Sequence, residues 1–436
     1  MTAQVPHILI VGGGYVGLYT AYGLRRAARK GKVRVTVVDP RSVMTYQPFL
    51  PEAAAGSVEP RHVVVPLRKV LKGCRVVTGR VSGIEHARKV ATVMPEEGPS
   101  YELAYDHVVV ALGSVARTLP IPGLAEEAIG FKQVEEAIAL RNQVLDRLDV
   151  ASSQPDEALR KAALTFVFVG GGYAGVEAFA ELEDMARYAT RYYDNIKPED
   201  MRWVLVEATG RILPEVGEDL GEYTVRQLRK RNMDIRLNTR LESCEKGHVV
   251  LSDGEEFDAD TIVWTAGVKA NPALAMTDLP LDEKGRVLCH ADLRVVDRPG
   301  AWSAGDNAAV PDVTSKVPGA LTSPSAQHAV RQARLLAANI LRTVDGKQPK
   351  NYEHMHVGSV ASLGLHKGVA QLFGIKVKGW PAWFLHRTYH VSRVPTFNRK
   401  ARVVLDWTLA LFLRREVVSL GALQHPNDEF RRAAGS

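Results

Sequence analysis

The sequence predicts an α/β fold: two parallel-sheet units and a smaller C-terminal α+β region. Three observations predict it. A glycine-rich segment occurs twice, as Val11-Gly12-Gly13-Gly14-Tyr15-Val16-Gly17 and as Val169-Gly170-Gly171-Gly172-Tyr173-Ala174-Gly175. Each copy follows an apolar run, His7-Ile8-Leu9-Ile10 and Leu164-Thr165-Phe166-Val167-Phe168, and opens a helix-compatible stretch. Residues 376–436 differ from the rest: they hold eleven Lys/Arg against four Asp/Glu, which is the whole net charge of +7, and three of the six tryptophans.

Strand, GxGxxG, helix is the pattern of a Rossmann-like dinucleotide site, and two copies in that context are a far stronger signal than one. Gly12 and Gly170 allow the tight turn. Gly14 and Gly172 let a pyrophosphate approach the backbone, and Gly17 and Gly175 let helix pack on strand. The phosphates face a helix N-terminus, whose free N–H groups and dipole favour anions. Each copy needs an acid at the end of the next strand to bind ribose hydroxyls. Val35-Thr36-Val37-Val38-Asp39 supplies Asp39 at the expected spacing. Trp203-Val204-Leu205-Val206-Glu207 supplies Glu207 after a longer crossover, attributed to a helix running on towards residue 193.

Further along, residues 107–114 and 261–267 read as buried strands running into the glycine turns at Gly113 and Gly267, each closing a nucleotide-binding half. Residues 148–155 are polar and read as a linker. Residues 301–306 form a short strand ending in Gly305-Asp306. Ser323-Pro324 reads as N-cap and first residue of a helix with an apolar stripe at Ala326, Ala329, Val330, Ala333, Leu336, Ala337 and Ile340. Gln327, Arg331 and Arg334 share an adjacent face. In the tail, residues 358–373 are strand-rich, and residues 380–389 and 401–413 are candidate helices. In the second, Val403, Val404, Trp407 and Leu411 can share a face. The domain reading is 1–120 and 276–345 for the first nucleotide domain, 121–275 for the second, and 346–436 for the C-terminal region.

Composition narrows the classes. At 436 residues, 46% hydrophobic and 24% charged, the chain is globular, with room for two or three domains. Three scattered cysteines, Cys74, Cys244 and Cys289, exclude a disulfide framework, and no CxxC, HExxH or Cys/His cluster offers a metal site. Nothing at the N-terminus resembles an export signal. The longest apolar run, 403–413, contains Asp406 and falls short of the roughly 20 residues that span a bilayer. The basic, aromatic tail points to an anionic partner surface.

Over nearly its whole length the chain resembles the flavoproteins with two dinucleotide-binding domains, and within them the type II NADH dehydrogenases, which pass electrons from NADH through FAD to a quinone without pumping protons. The resemblance rests on Tyr46-Gln47-Pro48-Phe49-Leu50-Pro51-Glu52-Ala53-Ala54-Ala55-Gly56, on Gly175-Val176-Glu177, on residues 263–272, on Gly305-Asp306, and on Ser325-Ala326-Gln327. The tail, with Ala382-Trp383, His386, Asn398-Arg399 and Trp407, is similar to the family's membrane-facing region. The resemblance implies FAD at the first fingerprint and NADH at the second, with Asp306 on the flavin ribitol. It implies that Glu177 lies near the flavin, orienting nicotinamide or handling quinone protons, and that Gln327 lies at the quinone. One departure stands out. The family has AQxAxQ, but Arg331 stands in place of the second glutamine, and Gln332 comes one position late. Arg331 could still donate to a quinone carbonyl.

The expected partners are a quinone and an anionic membrane surface met by residues 376–436, at the cytoplasmic face. No nucleic acid is expected, and a second copy of the chain stays open. Competing readings are a sulfide:quinone oxidoreductase, which needs two cysteines at the flavin, a reductase of a soluble redox protein, and a redox-sensing flavoprotein whose tail binds nucleic acid.

Overall fold

A computed structural model describes residues 5–354, 358–419 and 433. The chain divides into two compact units. The first holds Met1–Thr45, Val64–Val115 and Val268–His356; the second holds Tyr46–Val63, Ala116–Gly267 and Val357–Ser436.

Each unit is built on a five-stranded parallel sheet. In the first the order is Ala301–Ser303, His107–Val110, His7–Val11, Arg34–Asp39 and Arg75–Thr78. In the second it is Ala128–Gly130, Thr261–Trp264, Thr165–Val169, Arg202–Glu207 and Asp234–Leu237. The central strands of both sheets are near-continuous Val/Ile/Phe runs with no exposed face, because helices cover a parallel sheet on both sides. The repeat extends past the fingerprints, since each unit also carries a three-stranded antiparallel sheet: Arg80–Glu85, Val90–Met94 and Tyr101–Ala104 in one, Leu241–Ser243, His248–Leu251 and Glu256–Asp258 in the other.

The helices that position the functional residues are α1 (Tyr15–Arg29), α2 (Leu50–Ala54), α3 (Val134–Ser153), α4 (Tyr173–Ala189), α5 (Ala326–Val344), α6 (Trp380–Arg393) and α7 (Phe397–Phe412). In the first unit α1 packs along α5, with Thr20 Oγ1 donating to Ala333 O at 3.3 Å. In the second, α6 lies on an antiparallel sheet of Gly358–Ser362, Gly368–Leu372 and Ile375–Lys378. Gly368 makes that contact possible, because a Cβ there would stand 2.7 Å from Trp383 N.

Several expectations are corrected. Residues 148–155 are not a linker: α3 runs through Ser153 with Leu148 and Ala151 buried. The N-cap of α5 is Ser325, not Ser323, since the Ser325 side chain accepts from His328 N at 3.2 Å. On α7 the residues Val403, Val404, Trp407 and Leu411 do not share an environment. Val403 is buried and Leu411 exposed, while Trp407 is half-buried. The part of the basic tail at 420–432 and 434–436 lies outside the described residues.

Candidate functional site

The two fingerprints fold alike. Gly12 and Gly170 sit at φ +104° and +115°, where a side chain would be strained. A Cβ on Gly17 would stand 1.8 Å from Gly12 O, and one on Gly175 2.0 Å from Gly170 O, so both third glycines are steric necessities. The strand-end acids reach back to the turns. Asp39 Oδ2 accepts from Gly13 N at 2.6 Å, and Glu207 Oε2 accepts from Gly171 N at 2.7 Å. Burial raises the Asp39 carboxyl above its ordinary value, against the pull of the Gly13 and Arg41 amides. Glu207 is also held by Thr209, which donates from N and Oγ1 at 2.7 Å.

Both turns fit a bound dinucleotide. Gly14 and Gly172 are the N-caps of α1 and α4, neither supplies a side-chain cap, and a Cβ on either would meet nothing within 4 Å. Each helix thus starts with first-turn amides that no capping side chain satisfies, beside an open cradle suited to phosphate.

The first unit gathers the other predicted residues of its half. Gly305, at φ +73°, leaves no room for a Cβ, which would lie 2.7 Å from Val16 Cγ2 in the first turn of α1. That contact places Asp306 beside the first fingerprint. Asp306 Oδ2 accepts from Ser114 Oγ at 2.7 Å, and Asn307 Oδ1 accepts from Gly113 N at 2.9 Å. Gln327 and Arg331 are half-buried on α5, with Arg331 Nη1 3.2 Å from His354 Nδ1. Two residues had no role assigned from the sequence: Asn307, and Gln332, which was noted only as out of register with the family pattern. Gln332 is fully buried, accepting from Gly305 N at 2.7 Å and donating to Thr322 Oγ1 at 3.1 Å, so it braces the Gly305-Asp306 turn. Asn307 also donates to Val110 O and Ser303 Oγ. In the second unit Thr265 Oγ1 donates to Val169 O and Gly170 O, pinning the turn beside Gly267.

Glu177 lies on α4 in the second unit, buried. Its Oε1 accepts from Ser362 N at 2.8 Å and stands 2.9 Å from His386 Nε2, an ion-pair distance off the hydrogen-bond angle. Burial opposes a charge on His386, but Glu177, with Glu52 and Glu181 beyond it, raises the ring overall. Burial and then His386 push His390 well below its ordinary value. Trp407 Nε1 donates to Glu52 Oε2 at 2.7 Å, and the Arg387 guanidinium lies over the Trp407 and Trp383 rings. Trp383 is therefore an interior residue of the second unit, and the half-buried Trp407 is tied to that unit by Glu52 and Arg387. Trp380 and Phe384 remain exposed and stacked at 5.5 Å.

Residues 6–333 match the family described as pyridine nucleotide-disulphide oxidoreductase. The type II NADH:quinone oxidoreductase of Staphylococcus aureus is 30% identical over 402 residues, covering 90% of this chain and 96% of that one. The chain belongs to the type II NADH:quinone oxidoreductases. A relative of the same description, Ndh of Mycobacterium tuberculosis, is 27% identical over 434 residues, covering 95% of this chain and 90% of its own. The solved structure of NDH2 from Plasmodium falciparum in complex with NADH superposes with a TM-score of 0.88 at 17% identity, over 95% of this chain and all of that one. The sulfide:quinone oxidoreductase of Aquifex aeolicus shares the fold at a TM-score of 0.70 and 16% identity. The cysteines do not suit that chemistry. Burial lifts the Cys74 and Cys244 thiols to about 11 and Cys289 higher still, far from a reactive thiolate.

Proposed function

We propose that this chain oxidises NADH and reduces a quinone, with FAD held at the first fingerprint and NADH at the second, and moves no protons across a membrane. The observation that carries the reading is the doubled turn with its strand-end acid bonded to the middle glycine, in a chain 30% identical to a type II NADH:quinone oxidoreductase. FAD, when bound, supplies hydride acceptance from NADH and two-electron transfer to a quinone.

The chain's own residues bind, orient and protonate. Gly12, Gly14 and Gly17 cradle the FAD pyrophosphate, Asp39 takes the ribose, and Asp306 the ribitol. Gly113 and Asn307 keep that turn in place. Gly170, Gly172 and Gly175 do the same for NADH, Glu207 accepts from its ribose hydroxyls, and Gly267 closes the half. Glu177 stands at the ring system and carries a proton. Gln327 and Arg331 hold the quinone, with Arg331 donating in place of the family's second glutamine.

The membrane reading gains support from α7. Leu405, Leu409, Leu411 and Phe412 are exposed, Phe412 at 80%, with Arg402 and Arg414 exposed beside them. Among the described residues no helix is long and apolar enough to cross a bilayer. An apolar helix face rimmed by cations suits the surface of an anionic leaflet, here the cytoplasmic one, where the lipid-soluble quinone is met.

Purified protein should be yellow, should bleach with NADH, and should regain its colour with a soluble quinone analogue. A colourless folded protein that takes up no FAD, or a bleached one that no quinone reoxidises, would refute the reading.

A further inference from the structure

Glu52 on α2 and Glu181 on α4 are each 1% exposed, and each leaves one carboxyl oxygen, Glu52 Oε1 and Glu181 Oε2, without a hydrogen-bond partner. Their other oxygens are held: Trp407 Nε1 donates to Glu52 Oε2 at 2.7 Å, and Ser362 Oγ donates to Glu181 Oε1 at 2.7 Å. Helices α2 and α4 pack on each other. A buried carboxylate needs a cation or a full set of donors; Glu52 has only a distant cation and an incomplete set of donors, and Glu181 has an incomplete set of donors. Among the described residues no cation pairs with Glu181. Arg387 Nε is 3.5 Å from Glu52 Oε1 without a hydrogen bond. Arg415 is committed to Ala55 O at 2.9 Å and Ser57 Oγ at 3.2 Å.

We propose that Glu52 and Glu181 keep one proton between them in the resting protein, and that this proton is consumed when the quinone is reduced. The inference rests on the function proposed above and adds the source of a proton to it. NADH gives up two electrons and one proton as hydride, whereas a quinone takes two electrons and two protons to become the quinol. The second proton leaves as the O–H bond of Glu181 breaks and ends in an O–H bond of the quinol. Water then reprotonates Glu181.

The surroundings suit that role. Ser362 touches two acids of α4, with its hydroxyl on Glu181 and its amide on Glu177. It is the contact shared by the stored proton and the acid assigned to the ring system. Burial raises the Glu181 carboxyl to about 7, helped by the negative charge of Glu52 and opposed by Arg415. The charged groups acting on it are Asp184 on its own helix, Glu52 on α2, His386 on α6 and Arg415 beyond α7, with Glu177 one Ser362 contact away and Arg387 acting on Arg415. An acid poised near neutrality both gives and regains a proton readily.

The test uses the holoenzyme and the variants Glu181→Gln and Glu52→Gln, in which glutamine mimics the neutral acid. Infrared difference spectra across a pH titration should show a protonated-carboxyl band in the wild type at pH 7 that Glu181→Gln removes or Glu52→Gln shifts. No such band, or a band unchanged in both variants, overturns the stored proton. In stopped flow, the ratio of reoxidation by a soluble quinone to reduction by NADH should fall at least about ten-fold in Glu181→Gln, and the pH dependence of reoxidation near neutrality should disappear. A wild-type ratio and profile in both variants overturns delivery. Wild-type protein that reduces no quinone would instead overturn the functional reading and delivery with it, and the infrared band would still decide storage.

Discussion

In the proposed function, Glu207 is the residue that decides between the two nicotinamide dinucleotides. Its carboxylate closes the second fingerprint, where NADPH would bring a 2′-phosphate, and like charges brought together cost several kcal/mol. The specificity constant should therefore favour NADH, and Glu207→Gln should narrow the preference by about ten-fold or more. Equal constants in the wild type would end this role. Glu181 affects stability through pH. Its carboxyl rises from 4.5 to about 7 in the folded chain, so the folded state binds more protons than the unfolded one between those values, and stability falls as pH rises through them. Glu181→Gln cannot take that charge. Its melting temperature should match the wild type near pH 4 and exceed it by several degrees at pH 8. A constant gap across pH would show that Glu181 ionises normally. Asp39 was legible in the sequence because it lies at a set distance from a glycine turn, and Glu207, after a longer crossover, because it ends the next apolar strand. Gln332, Asn307 and the Glu52–Glu181 pair were not. Their meaning lies in partners far along the chain, such as Gly305, Gly113 and Ser362, and no local pattern carries that.

At the scale of elements, α7 has two faces with different work. One carries Trp407 to Glu52 and Asp406 to His62 Nδ1, 2.6 Å away, and joins the tail to the Tyr46–Val63 segment of the same unit. The other carries Leu405, Leu409 and Phe412 outward. The double variant Leu409→Ser, Phe412→Ser should keep its flavin and its melting temperature while binding anionic liposomes at least about ten-fold more weakly. Unchanged sedimentation would mean that this face is not the anchor. Trp407→Phe should do the reverse, costing about 1–3 kcal/mol of stability by leaving Glu52 without a donor, with liposome binding intact. Removing the tail after Ile375 would not separate these roles, because Ala382, Trp383, His386 and Arg387 on α6 are core residues of the second unit. Periodicity could mark α7 as amphipathic. It could not say which face meets its own protein, because the tryptophan that looks most suited to a membrane is also a hydrogen-bond donor, and a buried carboxylate claims it.

At the scale of the molecule, the proposed site at the first fingerprint makes FAD part of the stability of the first unit. A ligand present at 100 times its dissociation constant adds about 2.7 kcal/mol. Stripping FAD should lower the melting temperature by several degrees and restoring it should reverse the loss; a melting temperature indifferent to FAD would argue against a site at the first fingerprint. The doubled architecture was legible because each copy repeats the same turn, yet the matching sheet orders were not, since the edge strand of each sheet comes from a different place in the chain. In the second unit Ala128–Gly130 precedes the fingerprint, whereas in the first Ala301–Ser303 arrives last. That difference has a consequence on the ribosome. From the emergence of His107–Val110 until that of its neighbour Ala301–Ser303, roughly 190 residues later, one flank of the first sheet has no partner. At about 5–20 residues per second this lasts roughly 10–40 s. Through that interval a bare row of valines is open to wrong pairing, while the second sheet, from Ala128–Gly130 to Thr261–Trp264, is already complete. In a nascent chain the later unit closes its sheet before the earlier one, and a slow stretch of translation after Ala301–Ser303 would do less harm than one before it.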